Sequence, residues 1–599
     1  ESLIQYISFF DLLKKAIDHT CDDEVKHWPD NREEIGQNSH YLWTLPVATS
    51  CSHWTSFPSR SLAVHFEQAP PLPPPPPHNI TPPSPCSHGP WRQQEKRDSW
   101  LLMRDADTDN KQLSSSTCYD LAIIGRGLIG SAASRHAAKL LRGRSGGHAG
   151  KIVLIGPSEP DTAACTDGCA AGSANHPKVY GAHYDEGRIT RRTDPDPIWA
   201  ELASRSVRRY GEIREDATTC CTARQATNSK RTTGTTSATS SVPSDDDDAA
   251  SLDFFVECGH LAVGPENSET IQRRKQTAAS MGIVDCASLD ENCLRDAFPY
   301  LHFPAGCVGL HEPRESGYIS ARRLVAAQTT AAQNMGVTVI DAVASQVERS
   351  SPDMDNKDDG KGVFTITTEP LIDCNCAGCV KVGIGKRRRI RAKKVLVAAG
   401  AFCNARPLLP VKLDLTPIKT QTVHFVLSDE DVDRLEGMPS IIFKDESMWS
   451  YLLPPIEYQD KTVRLKLGGA RLGSDGGEYG PSREMSSNEE VMEWYQTDGS
   501  DSSRDEMVEL LRGFIPNVNP VRIISNSCAT LNTPTRQAYI GELSEGWGVA
   551  TGGNGYAAKS SDELGRLAAL SLLDKPKFDS EFICGKSVSD VFRPVPMSK

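Results

Sequence analysis

Three glycines at G-x-G-x-x-G spacing, Gly125, Gly127 and Gly130, are arranged to bind a pyrophosphate. The first permits a tight turn, the second lets the backbone approach the phosphates, and the third lets a helix pack close on a strand. The free N–H groups at the start of that helix then face the anion. A second glycine block, Gly552, Gly553 and Gly555, precedes the helical run Ser560–Leu572 and suits the far end of an extended cofactor. Two such turns at opposite ends of one chain favour FAD over NAD, because a nicotinamide enzyme needs only the first. Eighteen cysteines are too dilute for a small disulfide scaffold and are expected to be mostly free thiols, one of them chemically special.

The elements that must hold these groups are legible around them. The run from Tyr119 to Ile124 reads as a buried parallel strand, Ser131 to Leu141 as a helix with an alanine face, and Lys151–Ile155 as a second strand. An acidic residue is expected at the end of that second strand to bind the ribose hydroxyls, but Gly156-Pro157 stands there. Glu159 is the nearest candidate. A third apolar strand, Lys394 to Ala401, ends in small residues that allow a cofactor close to the backbone. Phe254 to Val263 reads as a hairpin, with His260 structural rather than catalytic. Alternation around Lys466 predicts a strand with Leu465 and Leu467 on the face opposite the lysine.

Other segments read as unpacked. Ten of the sixteen residues from Pro70 to Pro85 are proline, which excludes helix and central strand. Residues 1–117 are expected to be a disordered proline-rich arm, and 217–250, rich in Ser, Thr and Asp, a low-complexity insertion. The trio Cys374, Cys376 and Cys379 lacks a fourth metal ligand, so no metal site is expected there. The basic run Lys386–Lys394 leads into a strand and reads as a solvated hairpin arm.

Five blocks taken together resemble the D-amino-acid-oxidase-like flavoproteins, and among them the monomeric sarcosine oxidase and N-methyl amino acid oxidase branch. They are the glycine loop; Gly187-Arg188-Ile189-Thr190-Arg191; Gly317-Tyr318-Ile319-Ser320; Leu465-Lys466-Leu467-Gly468; and Cys528 through Lys559. The resemblance implies an α/β fold in which an FAD-binding, Rossmann-like domain of glutathione-reductase type interweaves with an antiparallel substrate sheet. The FAD part is expected at about 118–216, 317–414 and 525–599, and the substrate part at about 251–316 and 415–524. It also implies site roles. Cys528, in a C-x-x-x-x-T run ending at Thr533, is expected to carry a thioether to the flavin. Lys466 is expected near flavin N5 to assist dioxygen, and Arg188, Arg191 and Lys559 near the substrate carboxylate, which a guanidinium fork suits. Tyr451 resembles an active-site tyrosine. Gly469 and Ala470 stand where the branch has an aromatic residue and a histidine, and Thr530 where it has an aromatic residue. These replacements imply a roomier pocket and a substrate larger than sarcosine.

The function expected on this basis is oxidation of an amino-acid-like amine, secondary or primary, with dioxygen reduced to hydrogen peroxide. A same-fold dehydrogenase serving a quinone or carrier, an NAD-dependent enzyme, and a flavin-binding interaction protein remain alternatives. A net charge of −12 argues against nucleic acid as a partner, and no run of 18 apolar residues predicts a membrane span. A monomer acting on a small molecule is expected. The residues do not fix a compartment: a soluble intracellular place, cytoplasmic or peroxisomal, is compatible with them, and Met597-Ser598-Lys599 comes close to a peroxisomal tripeptide but lacks its final Leu.

Overall fold

Short apolar strands without polar interruption need cover on both faces. In the computed structural model Leu121–Ile124, Ile152–Ile155 and Val395–Val397 are buried in the middle of a six-stranded sheet. Its order is Thr338–Ile340, Ile152–Ile155, Leu121–Ile124, Val395–Val397, Trp547–Thr551 and Tyr539–Ser544; the first five are parallel and the last antiparallel. The structure describes residues 117–144, 150–159, 179–229, 252–349, 362–369, 387–471 and 483–598, all within the unit Glu95–Lys599. The arm up to residue 116 and the Cys374, Cys376 and Cys379 trio lie outside them.

Alternation along Leu121–Ile124 sorts its side chains between two layers. Leu121 and Ile123 pack under the helices Leu128–Arg144 and Ala557–Leu573, through Ala133, Ala137, Leu564 and Leu567. Ala122 and Ile124 face the other way, onto Val347, Phe364, Ile366 and Ile390 of a four-stranded sheet. Each such buried aliphatic or aromatic side chain contributes about 1.5–3 kcal/mol of transfer free energy. Within the four-stranded sheet Arg389–Ala392 pairs antiparallel with Phe364–Glu369, so the basic run is the return arm of a hairpin.

The second large sheet has eight strands, in the order Arg522–Asn532, Thr416–Val426, Val463–Arg471, Met448–Glu457, Ser440–Lys444, His260–Pro265, Cys307–Glu312 and Ala287–Leu289. All neighbours are antiparallel except Ser440–Lys444 with His260–Pro265. One face carries Val423, Phe425, Ile441, Phe443, Leu452, Leu465 and Leu467. Met507, Leu510, Leu511 and Phe514 of the helix Asp501–Phe514 cover it. The intervening residues, Lys466 among them, point to the opposite face. The strand holding Cys528 lies whole in this sheet, so the expected boundary at 525 cuts through a single element.

Two expectations need correction. Phe254 to Val263 is not a hairpin. Phe255–Val256 pairs with Gly317–Ile319 in a three-stranded sheet, whereas His260–Pro265 pairs with Cys307–Glu312 in the large one. Gly259, at φ 81°, turns the chain from one sheet to the other, and its N–H donates to the Ser316 carbonyl at 3.2 Å. The insertion also begins later than residue 217, because the helix Tyr210–Ser229 runs past it. No proline or glycine interrupts 217–229, Ala217 is fully buried, and the Thr218 hydroxyl bonds back to the Arg214 carbonyl at 3.0 Å. Residues 230–250 lie outside the described residues.

Candidate active site

A cavity of about 1000 Å³ lies between the two large sheets and collects most of the candidate residues. Gly125 and Gly127 line one end and Gly552, Gly553 and Gly555 another stretch of wall, with Arg188, Arg191, Tyr451, Cys528 and Lys559 between them. Gly125 adopts φ 110°, and a Cβ there would meet the Ala398 carbonyl oxygen at 2.3 Å. The turn is therefore closed to any side chain, and bare backbone faces the cavity where the helix Leu128–Arg144 begins. Gly130 sits under this turn, where a Cβ would strike the Gly125 carbonyl. This cradle, continuous with the second glycine turn and with Cys528, fits an extended dinucleotide.

Two of the sequence blocks are brought together by pairing. Arg188–Thr190 runs antiparallel to Gly317–Ile319, with Arg188 opposite Ile319. Ser320 caps the helix Ala321–Asn334 by accepting from the Arg323 N–H, and its own hydroxyl donates to Glu186 at 2.6 Å. That anchors the segment carrying both arginines.

Arg188 is held by the carbonyls of Ala182 (3.0 Å) and Gly187 (3.1 Å) and by the Asp185 carboxylate. Burial works against its charge, but Cys528, Tyr451, Tyr180 and Tyr458 around it outweigh that and raise its pKa. Tyr451 lies opposite Gly468 in the hairpin Met448–Glu457 and Val463–Arg471. A Cβ on Gly468 would meet the Tyr451 ring at 2.5 Å, so the ring crosses the strand only because that residue is glycine.

Lys466 does not line the cavity. It is 1% exposed, and its ammonium donates to Asp185 and, at 3.1 Å, to the Gly187 carbonyl. Burial and then Arg188 push it well below the ordinary lysine range, while the Asp185 carboxylate favours the cation. Glu159 also turns away. Both its oxygens accept from Arg322 at 2.6 Å, and it does not line the cavity.

A denser group lies around the segment from Arg191 to Asp194. Arg191 donates to Asp194 at 2.8 Å, and the Lys559 ammonium lies 3.3 Å from the same oxygen and 3.4 Å from the Trp199 carbonyl. Arg274 donates to the Thr193 carbonyl at 3.0 Å. The three cations are 5%, 2% and 2% exposed, and all line the cavity. Burial, and then the neighbouring arginine, bring Lys559 down to about 8 against the pull of Asp194. His260 is buried beside the group, bonds Ser440 at 3.1 Å and does not line the cavity, as a structural histidine should.

Sequence reasoning missed several residues of this site. Asp194 follows Arg191 at an ion-pair spacing of three and was open to discovery. Arg274 sits in a charged, helical stretch with no local mark of burial. Aromatic walls were missed as well: Tyr180 stacks on Tyr495 with centroids 3.9 Å apart, and Trp449 lies 5.6 Å from Tyr451.

Residues 245–570 match the family described as FAD dependent oxidoreductase. N-methyl-L-tryptophan oxidases of Yersinia pestis (strain Pestoides F) and Yersinia pseudotuberculosis (serotype O:1b) are each 24% identical over 473 residues, 76% of this chain and 96% of theirs. NikD, an unusual amino acid oxidase essential for nikkomycin biosynthesis, superposes with a TM-score of 0.51 at 15% identity. That match covers 81% of this chain and 99% of NikD and bears on the fold. Among the described residues no helix is long and apolar enough to cross a membrane.

Proposed function

Because the chain belongs to the FAD dependent oxidoreductase family, we propose that it oxidises the C–N bond of an amino-acid-like amine, secondary or primary, to the imine. The observation that carries this is a single cavity joining the glycine cradle to a buried cluster of cations. FAD, when bound, would supply a two-electron acceptor for the hydride on the carbon next to nitrogen, with dioxygen as the final oxidant reduced to hydrogen peroxide. Everything else falls to the protein's own groups. Arg191 and Lys559 seat the substrate carboxylate, Tyr451 and Arg188 bound the reacting end, and the imine then hydrolyses in water. The N-methyl-L-tryptophan oxidases, whose named substrate is a secondary amine bearing a carboxylate, support this substrate class. Gly469 and Thr530 on the wall support a substrate larger than sarcosine.

The test is direct. The purified chain should be yellow, and an amino-acid-like amine should bleach it anaerobically; a flavin that no such amine reduces would overturn the proposal. One observation favours a second reading, a dehydrogenase serving an electron carrier: Asp185 is already paired with Lys466. Peroxide formation in air, measured against dye reduction, separates the two.

Cys528 is a free thiol on the cavity wall, and we assign it the thioether to the flavin. Acid precipitation of wild type should leave the yellow colour in the pellet, and Cys528→Ser should release it to the supernatant. Free flavin from wild type would rule the bond out.

The lowered pKa of Lys559 gives a pH signature. Its ammonium attracts an anion and its neutral amine does not. Affinity for acetate, a carboxylate competitor, should therefore be full below about 8 and fall as pH rises through that value. Lys559→Met should flatten this part of the profile.

A further inference from the structure

We propose that the cation cluster is a recess for a second acidic group, so that the substrate is an amino dicarboxylate. The proposal rests on the amine-oxidation reading for the chemistry and adds the class of substrate.

The argument is one of charge. Arg191, Arg274 and Lys559 bring three positive charges into a space where Asp194 is the carboxylate they share. Nearby Glu312 favours the charge on Arg274 from a distance, but its own oxygens are taken. One oxygen accepts from the backbone N–H and Nε of Arg192 (2.7 and 3.0 Å), and the other from the N–H and hydroxyl of Thr193 (3.0 and 2.8 Å). At the cavity wall Glu269 is spent on Arg273 at 2.6 Å. His260 contributes no charge, because burial, Arg191 and Arg274 hold it neutral. Among the described residues Asp194 is thus the carboxylate ion-paired with Arg191 and Lys559, and Arg274 has no carboxylate in contact. Isolated buried charges are costly, and a second carboxylate would give Arg274 the partner it lacks.

The donors point the same way. The Nε–H groups of Arg191 and Arg274 are both buried and have no hydrogen-bond partner among the described residues. Arg191 and Arg274 come from elements far apart in sequence, the turn after Arg188–Thr190 and the helix Glu269–Ser280, yet both border the cavity. With the α-carboxylate on Arg191 and Lys559, Arg274 is left to take the other acid. Charge-assisted bonds to guanidinium groups are the strong ones.

Two measurements test this on the flavin-loaded full chain. Calorimetric titration compares glutarate with pentanoate, which has the same carbon count and one carboxylate fewer. Glutarate should bind at least about tenfold tighter, the scale expected of one buried charge-assisted pair; equal affinities would overturn the proposal. Turnover compares N-methyl-L-glutamate with N-methyl-L-glutamine. The diacid should have the higher kcat/KM, and Arg274→Gln should bring the two together. If Arg274→Gln does not fold, the wild-type pairs still decide. The two readings fail separately. A glutarate preference in a protein that oxidises no amine would sink the oxidation reading and leave the recess standing. Equal use of N-methyl-L-glutamate and N-methyl-L-glutamine would sink the recess and leave amine oxidation standing.

Discussion

Replacing Lys466 by methionine should slow reoxidation of the reduced flavin by dioxygen about 10²- to 10³-fold, the usual cost of removing one preorganised electrostatic group. Anaerobic reduction by the amine should slow far less. The reason lies in where charge develops: dioxygen gains negative charge as it is reduced, and a nearby buried cation stabilises it more than water would. Lys466 is 1% exposed and stays next to Arg188, the two sharing Asp185. Methionine keeps most of the side-chain volume, so packing between Leu453 and His424 on the neighbouring strands changes little. Stopped-flow mixing of pre-reduced variant with oxygenated buffer measures the effect. Equal slowing of both half-reactions would show that the lysine holds the sheet together and has no part in oxygen chemistry. The Asp185 pairing adds a second expectation: Asp185→Asn should speed reoxidation if the carboxylate damps the lysine's field.

Arg191→Met should lower kcat/KM for a carboxylate-bearing amine about 10²- to 10³-fold, because truncating one partner of a buried charged hydrogen bond costs about 2–5 kcal/mol. N-methylpropylamine, which has no carboxylate, should lose much less. A similar loss for both substrates would make Arg191 a structural residue pinned to Asp194. Arg191→Lys should recover only part of the activity, because an ammonium lacks the planar fork. The same variant tests the electrostatics of the recess. Arg191 helps to depress Lys559, so its removal should move the pH at which anion binding fades from about 8 to a higher value.

How much of this was legible beforehand depends on distance along the chain. The glycine turn, its flanking strands and the helix between them follow from local rules of steric freedom and period. Those elements stand where the residues indicated. Failures came where the outcome depends on a remote partner. Phe254 to Val263 carries the alternation and glycine of a hairpin, yet both halves find strands of the segment 307–319 instead. The Ser and Thr residues beyond Ala217 read as the start of an unpacked insertion, yet without proline or glycine they continue a helix anchored by Tyr210, Ile213 and Ala217. Glu159 has the right chemistry for a ribose and spends it on Arg322, 163 residues away.

The cofactor class and the strand–turn–helix that cradles it could thus be read from residue types alone, because a phosphate turn is built from consecutive residues whose backbone freedom is intrinsic. The charge state and composition of the substrate recess could not. Arg191, Arg274 and Lys559 acquire their meaning from Asp194, from the loss of water and from one another. Nothing in the charged helix Glu269–Ser280 distinguishes Arg274 from its exposed neighbour Arg273 until the sheet behind it buries one and leaves the other in solvent. Electrostatic energy depends on separation and burial, and only the folded chain sets either.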